Sequence, residues 1–173
     1  MRGRTPAGRW GQVGDLVGAL VAALRRPGAA EVVVSDLLDA PLALASKVGA
    51  TSVVRADDPA GPGEADITIE ASGSPAGLRT CLERVRRAGR VVLLGLLPPG
   101  EVGFLGNVVV TRELTLAGAF RFDREFDEAL ALLADGLPVD PVVTHTFPLE
   151  RATEAFDVAG NRAVASKVLL DLS

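Results

Sequence analysis

A doubly wound α/β domain on a parallel sheet is the fold class this sequence predicts, and two observations predict it. Short β-rich runs alternate with helical patterns, as parallel strands joined by crossover helices require. Residues 31–35 (EVVVS) also form a continuous apolar run, the signature of a strand buried on both faces rather than one.

The elements follow in order. After 31–35 a helix is expected over 40–48, with Pro41 tolerated in its first turn. A short strand at 51–54, a Gly/Pro loop through Gly63 and a strand at 65–70 (ADITIE) come next. The following helix is the clearest in the chain. Ser74 can cap it, Pro75 suits its first position, Gly89 lies beyond its end, and Leu78, Cys81, Leu82 and Val85 share one apolar face. Residues 90–94 (RVVLL) read as a central strand ending at Gly95, and 113–117 (ELTLA) as a further strand. Asp123 is placed to cap a helix running to Ala134, with Phe126, Ala129, Leu130 and Leu133 as its inner face and Gly136 at its end. The remainder reads as strand (141–147), helix (149–159) and strand (167–172), a departure from strict alternation.

Composition narrows the function classes. The 173 residues are 48% hydrophobic and 23% charged, ordinary for one globular domain able to bury its own core. A formal charge of -4 gives no electrostatic case for nucleic acid or an anionic membrane, and no apolar run reaches the ~20 residues of a membrane span. One cysteine allows no internal disulfide, and MRGRTPAGRW lacks the apolar core of a secretory signal, so a cytoplasmic protein is expected.

Gly11-Gln12-Val13-Gly14 leads into a small-residue helix. Glycines there let a backbone approach a pyrophosphate, whose charge the helix N-terminus favours. The full pattern is G-x-G-x-x-G, and Arg9 stands at its first position, so a tight turn before an ordinary helix explains the residues equally well. Asp36 ends the EVVVSD run at roughly the 20-residue spacing where an acidic residue binds the adenosine ribose. Its carboxylate accepts ribose hydroxyls and repels a 2′-phosphate, and no basic residue follows before Lys47, so NAD is favoured over NADP. A strand-end or helix-capping Asp is the plainer alternative. Cys81, on an apolar helix face, reads as a small buried hydrophobe. His145, alone in an alternating strand, reads as structural, and the two make no zinc site. Ser72 lacks the G-x-S-x-G context of a hydrolase nucleophile.

Taken as an ordered set, VVVSDL, ADITIEASGSP, LRTCLERVRRAGRVVLLGL, ELTLAGAFRF and VVTHTFPLERATEAFDVA resemble the zinc-containing medium-chain alcohol and polyol dehydrogenases, nearest the sorbitol and L-idonate 5-dehydrogenases. The resemblance runs from about Gly11 to the C-terminus. It implies a six-stranded Rossmann-type domain over 11–138 that binds NAD(H), an atypical segment over 1–10, and a segment over 139–173 that returns toward a GroES-like catalytic domain. By motif match, Gly11, Val13 and Gly14 would meet the pyrophosphate, Asp36 the adenosine ribose, and Ser72 the groove wall. Gly95 and Leu96 would hold the nicotinamide side, and Ala119, Phe120 and Arg121 would pass the nicotinamide, where a surface ion pair is the alternative for Arg121. The resemblance implies zinc on a GroES-like domain that this sequence is expected not to include, so no zinc and no catalytic residue are expected here, and the chain alone is expected to be inactive. A polyol or sugar-acid substrate would need that domain. A homo-oligomer is implied as well, through sheets joined at the ELTLA strand. Two features differ from the pattern. Charged and Pro/Gly residues in RGRTPAGRW argue for a degenerate first strand, and Asp15 sets a negative charge in the first helical turn. A stand-alone NAD(H)-sensing module and a non-binding remnant are the competing classes, separated by cofactor titration.

Overall fold

The computed structural model describes residues 8–12, 20, 21, 23, 24, 28–120 and 125–173, with 8–12 described through their backbone. Six parallel strands form one sheet: β1 (Gly8–Gln12), β2 (Glu31–Asp36), β3 (Ser52–Arg55), β4 (Ala65–Glu70), β5 (Val85–Leu93) and β6 (Thr115–Gly118). Their order is β3-β2-β1-β4-β5-β6, that of a Rossmann-type sheet. The winding direction reverses between β1 and β4, which opens a crevice beyond the carboxyl ends of those strands.

β1 corrects the expectation of a degenerate first strand. It lies between β2 and β4, with Gly8 opposite Glu31, Gln12 opposite Ser35 and Gly11 opposite both Val34 and Ile69. Pairing runs through backbone amides and carbonyls, and no proline falls within Gly8–Gln12 to remove a donor. Side-chain character is therefore a poor guide to whether these five residues pair. Gly11 and Gln12 consequently belong to the strand, not to the start of a helix. The helical residues described after it are Leu20, Val21, Ala23 and Leu24.

Alternation along β2 divides the core between the two faces of the sheet. Val32 and Val34 join Val21, Leu42 and Ala45 on one side, the last two from α1 (Asp39–Lys47). Val33 joins Leu78, Cys81, Leu82 and Val91 on the other, under α2 (Pro75–Arg84). α2 begins as its sequence requires: Ser74 is extended (φ -114°, ψ 143°), its hydroxyl accepts from the Gly77 amide at 2.9 Å, and Pro75 follows.

Three boundaries differ from the sequence reading, each for a local reason. α2 ends at Arg84, not near Gly89, and β5 begins at once with a register slip against β4 between Ala65 and Ile67. The left-handed residue there is Ala88 (φ 56°), while Gly89 is needed for close packing, since a Cβ would sit 2.5 Å from Val85 Cγ2 and 2.8 Å from the Asp66 carbonyl. β6 starts at Thr115 because Glu113 has φ 55°, which a strand cannot accommodate. The initial residues of 141–147 form a short 3-10 turn, Asp140–Val142, before β7 (Val143–Pro148).

α3 (Gly106–Thr111) precedes β6, and α4 (Glu125–Ala134) follows it. Gly136 (φ 80°) closes the latter, whereas Asp123 lies outside the described residues. The supposed inner face of α4 is exposed: Phe126, Ala129, Leu130 and Leu133 all face solvent. Helical periodicity marks an apolar stripe but not the surface that covers it. The chain then makes a separate β-α-β unit: β7, a 3-10 turn (Leu149–Arg151), α5 (Ala152–Ala159) and β8 (Lys167–Asp171), with β7 and β8 parallel. Val142, just before β7, is buried in the core cluster of Val32 and Val34 and anchors this unit to the sheet. No helix among the described residues is long and apolar enough to cross a membrane.

Candidate functional site

Parallel strands present their last residues and the following turns to the crevice, so β2 and β4 decide what stands there. β2 ends in Asp36, which is 6% exposed. Its Oδ1 accepts the Leu38 amide at 2.8 Å, and its Oδ2 faces the Arg162 guanidinium at 3.5 Å. Burial pushes the Asp36 carboxyl above the usual carboxylate range, opposed by the Leu38 amide and Arg162. Arg55, opposite Asp36 in the sheet, is held elsewhere by Asp39 at 2.8 Å and Asp57 at 2.9 Å.

β4 ends in Glu70, fully buried, whose carboxylate organises the turn that follows. Oε1 accepts the Ser72 amide at 2.9 Å and its hydroxyl at 2.5 Å, and Oε2 accepts the Gly73 amide at 3.1 Å. The Ser72 hydroxyl also lies 2.9 Å from that of Ser74, linking the turn to the α2 cap. The Glu70 carbonyl accepts the amides of both Leu94 and Gly95 at 2.8 Å. This draws the loop after β5 onto the loop after β4. A Cβ on Gly95 would stand 2.3 Å from the Gly73 nitrogen, and one on Gly73 the same distance from the Leu96 carbonyl oxygen.

Between these turns lies a groove of about 410 Å³, lined by Ser35, Asp36, Ser72, Ser74 and Arg162 among others. Ser35 is fully buried, and its hydroxyl makes no hydrogen bond among the described residues. A hollow of about 440 Å³ between α2 and Phe104 offers Arg79 as its one charged side chain, and Arg79 is paired with Glu83. Convergent polar groups, rather than size, mark the Asp36 groove as the candidate site.

The residues predicted from sequence are distributed as follows. Asp36 and Ser72 share the groove, and Gly95 and Leu96 adjoin it through Gly73. Ala119 and Phe120 lie exposed past β6, where the Ala119 amide bonds the Leu93 carbonyl, and do not line the groove. Gly11 is within β1, while Val13, Gly14 and Arg121, like Asp15, lie outside the described residues. Sequence reading missed Glu70, although a carboxylate closing the apolar run ADITIE before SGS is a legible signal. It also missed Arg162, which is 126 positions from Asp36 and carries no local signal.

Cys81 is fully buried on the inner face of α2, and burial pushes its thiol up to about 12. His145, in β7, has its Nδ1 3.0 Å from the Thr144 hydroxyl and its ring stacked toward Phe147. Among the described residues, no three His, Cys, Asp or Glu side chains converge as a metal site.

A family model described as zinc-binding dehydrogenase matches residues 17–135. The chain is 32% identical over 166 residues to the L-idonate 5-dehydrogenase (NAD(P)(+)) of Escherichia coli K12, covering 91% of this chain and 48% of that protein. The crystal structure of that enzyme superposes with a TM-score of 0.86, covering 96% of this chain and 50% of the other. An L-threonine 3-dehydrogenase of Anaeromyxobacter sp. Fw109-5 is 37% identical, over 87% of this chain and 47% of its own length. A Sinorhizobium meliloti 1021 protein solved with bound NADP is 28% identical with a TM-score of 0.82, covering 96% of this chain and 53% of that one. The chain spans about half the length of the curated relatives it matches. On the family match, the shared sheet order and these identities, the chain belongs to the zinc-binding dehydrogenase family and carries its Rossmann-type half.

Proposed function

We propose that the groove beside Asp36 holds the adenosine end of NAD(H), and that the chain is the cofactor-binding part of a dehydrogenase oxidising a secondary alcohol of a polyol or sugar acid. One observation carries the reading: a nearly buried carboxylate, at the end of β2, set into a groove at the reversal point of the sheet. A ribose offers two neighbouring hydroxyls, and a carboxylate with several acceptor sites suits both. The orphaned Ser35 hydroxyl in the groove lining also fits a polar ligand. From there Ser72, Gly95 and Leu96 would lead toward the nicotinamide, with Ala119 and Phe120 beyond β6. Gly11, Val13, Gly14 and Arg121 complete the proposed set. When bound, NAD supplies the acceptor for the alcohol's hydride.

The zinc of the family does not fit the described residues. Cys81 and His145 are both committed to packing or local contacts, and no step is assigned here through a metal. Residues 139–173 would return toward the part of the enzyme that binds substrate, consistent with the exposure of Phe156 and Leu172. The relatives named for L-idonate and L-threonine differ in substrate and share dehydrogenation. A homo-oligomer would use the open edge at β6, and a cytoplasmic setting would keep Cys81 reduced.

Fluorescence titration with NADH tests the reading. The chain should bind NADH, and Asp36→Ala should weaken it about tenfold, the scale of a lost charge-assisted hydrogen bond. No NADH binding by the unaltered chain, or equal affinity in the variant, would overturn it.

A further inference from the structure

An acidic residue at the end of β2 normally excludes a 2′-phosphate, because the two negative charges would meet at the ribose edge. The run after Asp36 agrees, with no basic residue before Lys47. The folded chain supplies the cation from elsewhere. Arg162 lies between α5 and β8, and its guanidinium stands in the wall of the Asp36 groove.

Two features fit it for phosphate recognition. The backbone that presents it is firmly held: the Asn161 side chain accepts the Ala163 amide at 3.1 Å, and the Asn161 carbonyl accepts the amides of Val164 and Ala165 at 3.0 and 2.9 Å. Its guanidinium stands 3.5 Å from the Asp36 carboxylate, and the Arg162 side chain is 47% exposed. A guanidinium presents a planar fork that matches phosphate oxygens, so it can serve a phosphate without leaving the groove. The other nearby cation, Arg55, does not line the groove and pairs with Asp39 and Asp57.

We propose that Arg162 is the specificity-determining residue of this groove: it offsets Asp36, pairs with a ribose 2′-phosphate, and lets the chain take NADP(H) as well as NAD(H). The proposal rests on the reading of the groove as a dinucleotide site. Asp36 would serve the free ribose hydroxyls, and Arg162 the phosphorylated ribose.

Titrating the full chain with NADH, NADPH and adenosine 2′,5′-bisphosphate separates the two ideas. The unaltered chain should bind NADPH within about tenfold of NADH. Arg162→Ala should lower affinity for NADPH and the bisphosphate about tenfold relative to affinity for NADH, and Arg162→Lys should recover part of that loss. Asp36→Ala should move the preference toward NADPH. Thermal unfolding of each variant confirms that it is folded before binding is compared. NADH binding with no NADPH binding, or an unchanged NADPH-to-NADH ratio in folded Arg162→Ala, sinks the role of Arg162 and leaves the dinucleotide reading standing. Failure of the unaltered chain to bind any of the three probes sinks both.

Discussion

The six-stranded sheet and the β7-α5-β8 unit contain similar apolar runs and meet different fates. In β2 all positions after Glu31 are buried, whereas no residue of β8 (KVLLD) is. EVVVSD has strands on both sides and helical residues on both faces, while KVLLD has a single strand partner and α5 on one side. Phe156, Leu170 and Leu172 are left exposed. A run of valines and leucines specifies a strand; burial is specified by the number of elements available to cover it. This is why the central sheet can be read from local pattern and its periphery cannot.

The largest effect that sharpens the contrast is a cavity. Leu82 is fully buried under β4 and β5, so Leu82→Ala should cost about 2–5 kcal/mol, whereas Leu172→Ala, 76% exposed, should stay within about 0.5 kcal/mol. Urea unfolding of the two variants measures this, and similar losses would show that the periphery is covered after all. A smaller effect belongs to the loop junction. Gly95→Ala sets a Cβ against the Gly73 backbone and should cost about 1–3 kcal/mol, while Gly103→Ala has open space and should be nearly neutral. Thermal melts of both compare a packed loop with an open one.

The smallest effect is a pH dependence confined to the core. The Cys81 thiol is raised by burial to about 12, above its value in the unfolded chain, so folding holds the proton more tightly. Its contribution to stability is therefore complete below an ordinary thiol value near 9 and is lost as pH rises toward about 12. Cys81 should react with a thiol reagent at pH 8 only after denaturation. Rapid labelling of the native chain would show that the α2 side of the core opens freely.

Local chemistry made some features legible. Ser74-Pro75 announced the start of α2, and the apolar runs at β2 and β4 announced the central sheet. The place of Asp36 at the end of β2 was legible because it closes the apolar run EVVVSD. β1 was not, since GRWGQ pairs through its backbone and hides that ability behind a charged residue and glycines. The end of α2 was missed because Val85 turns extended directly after Arg84, and the start of β6 because Glu113 adopts left-handed backbone that its residue type does not advertise. The place of Arg162 beside Asp36 was illegible in principle: it follows from a contact between distant parts of the chain, not from its neighbours in sequence.

The Glu70 carbonyl holds two amides of the loop after β5, and its carboxylate holds two amides of the loop after β4. With Gly73 and Gly95 in contact, this rim has no slack between its halves. The two loops therefore form one tied rim rather than two independent turns. The turn at Ser72 and the loop at Leu96 are thereby linked through Glu70 and through the close Gly73–Leu96 backbone contact. On the opposing side of the groove, Asp36 and Arg162 stand 3.5 Å apart.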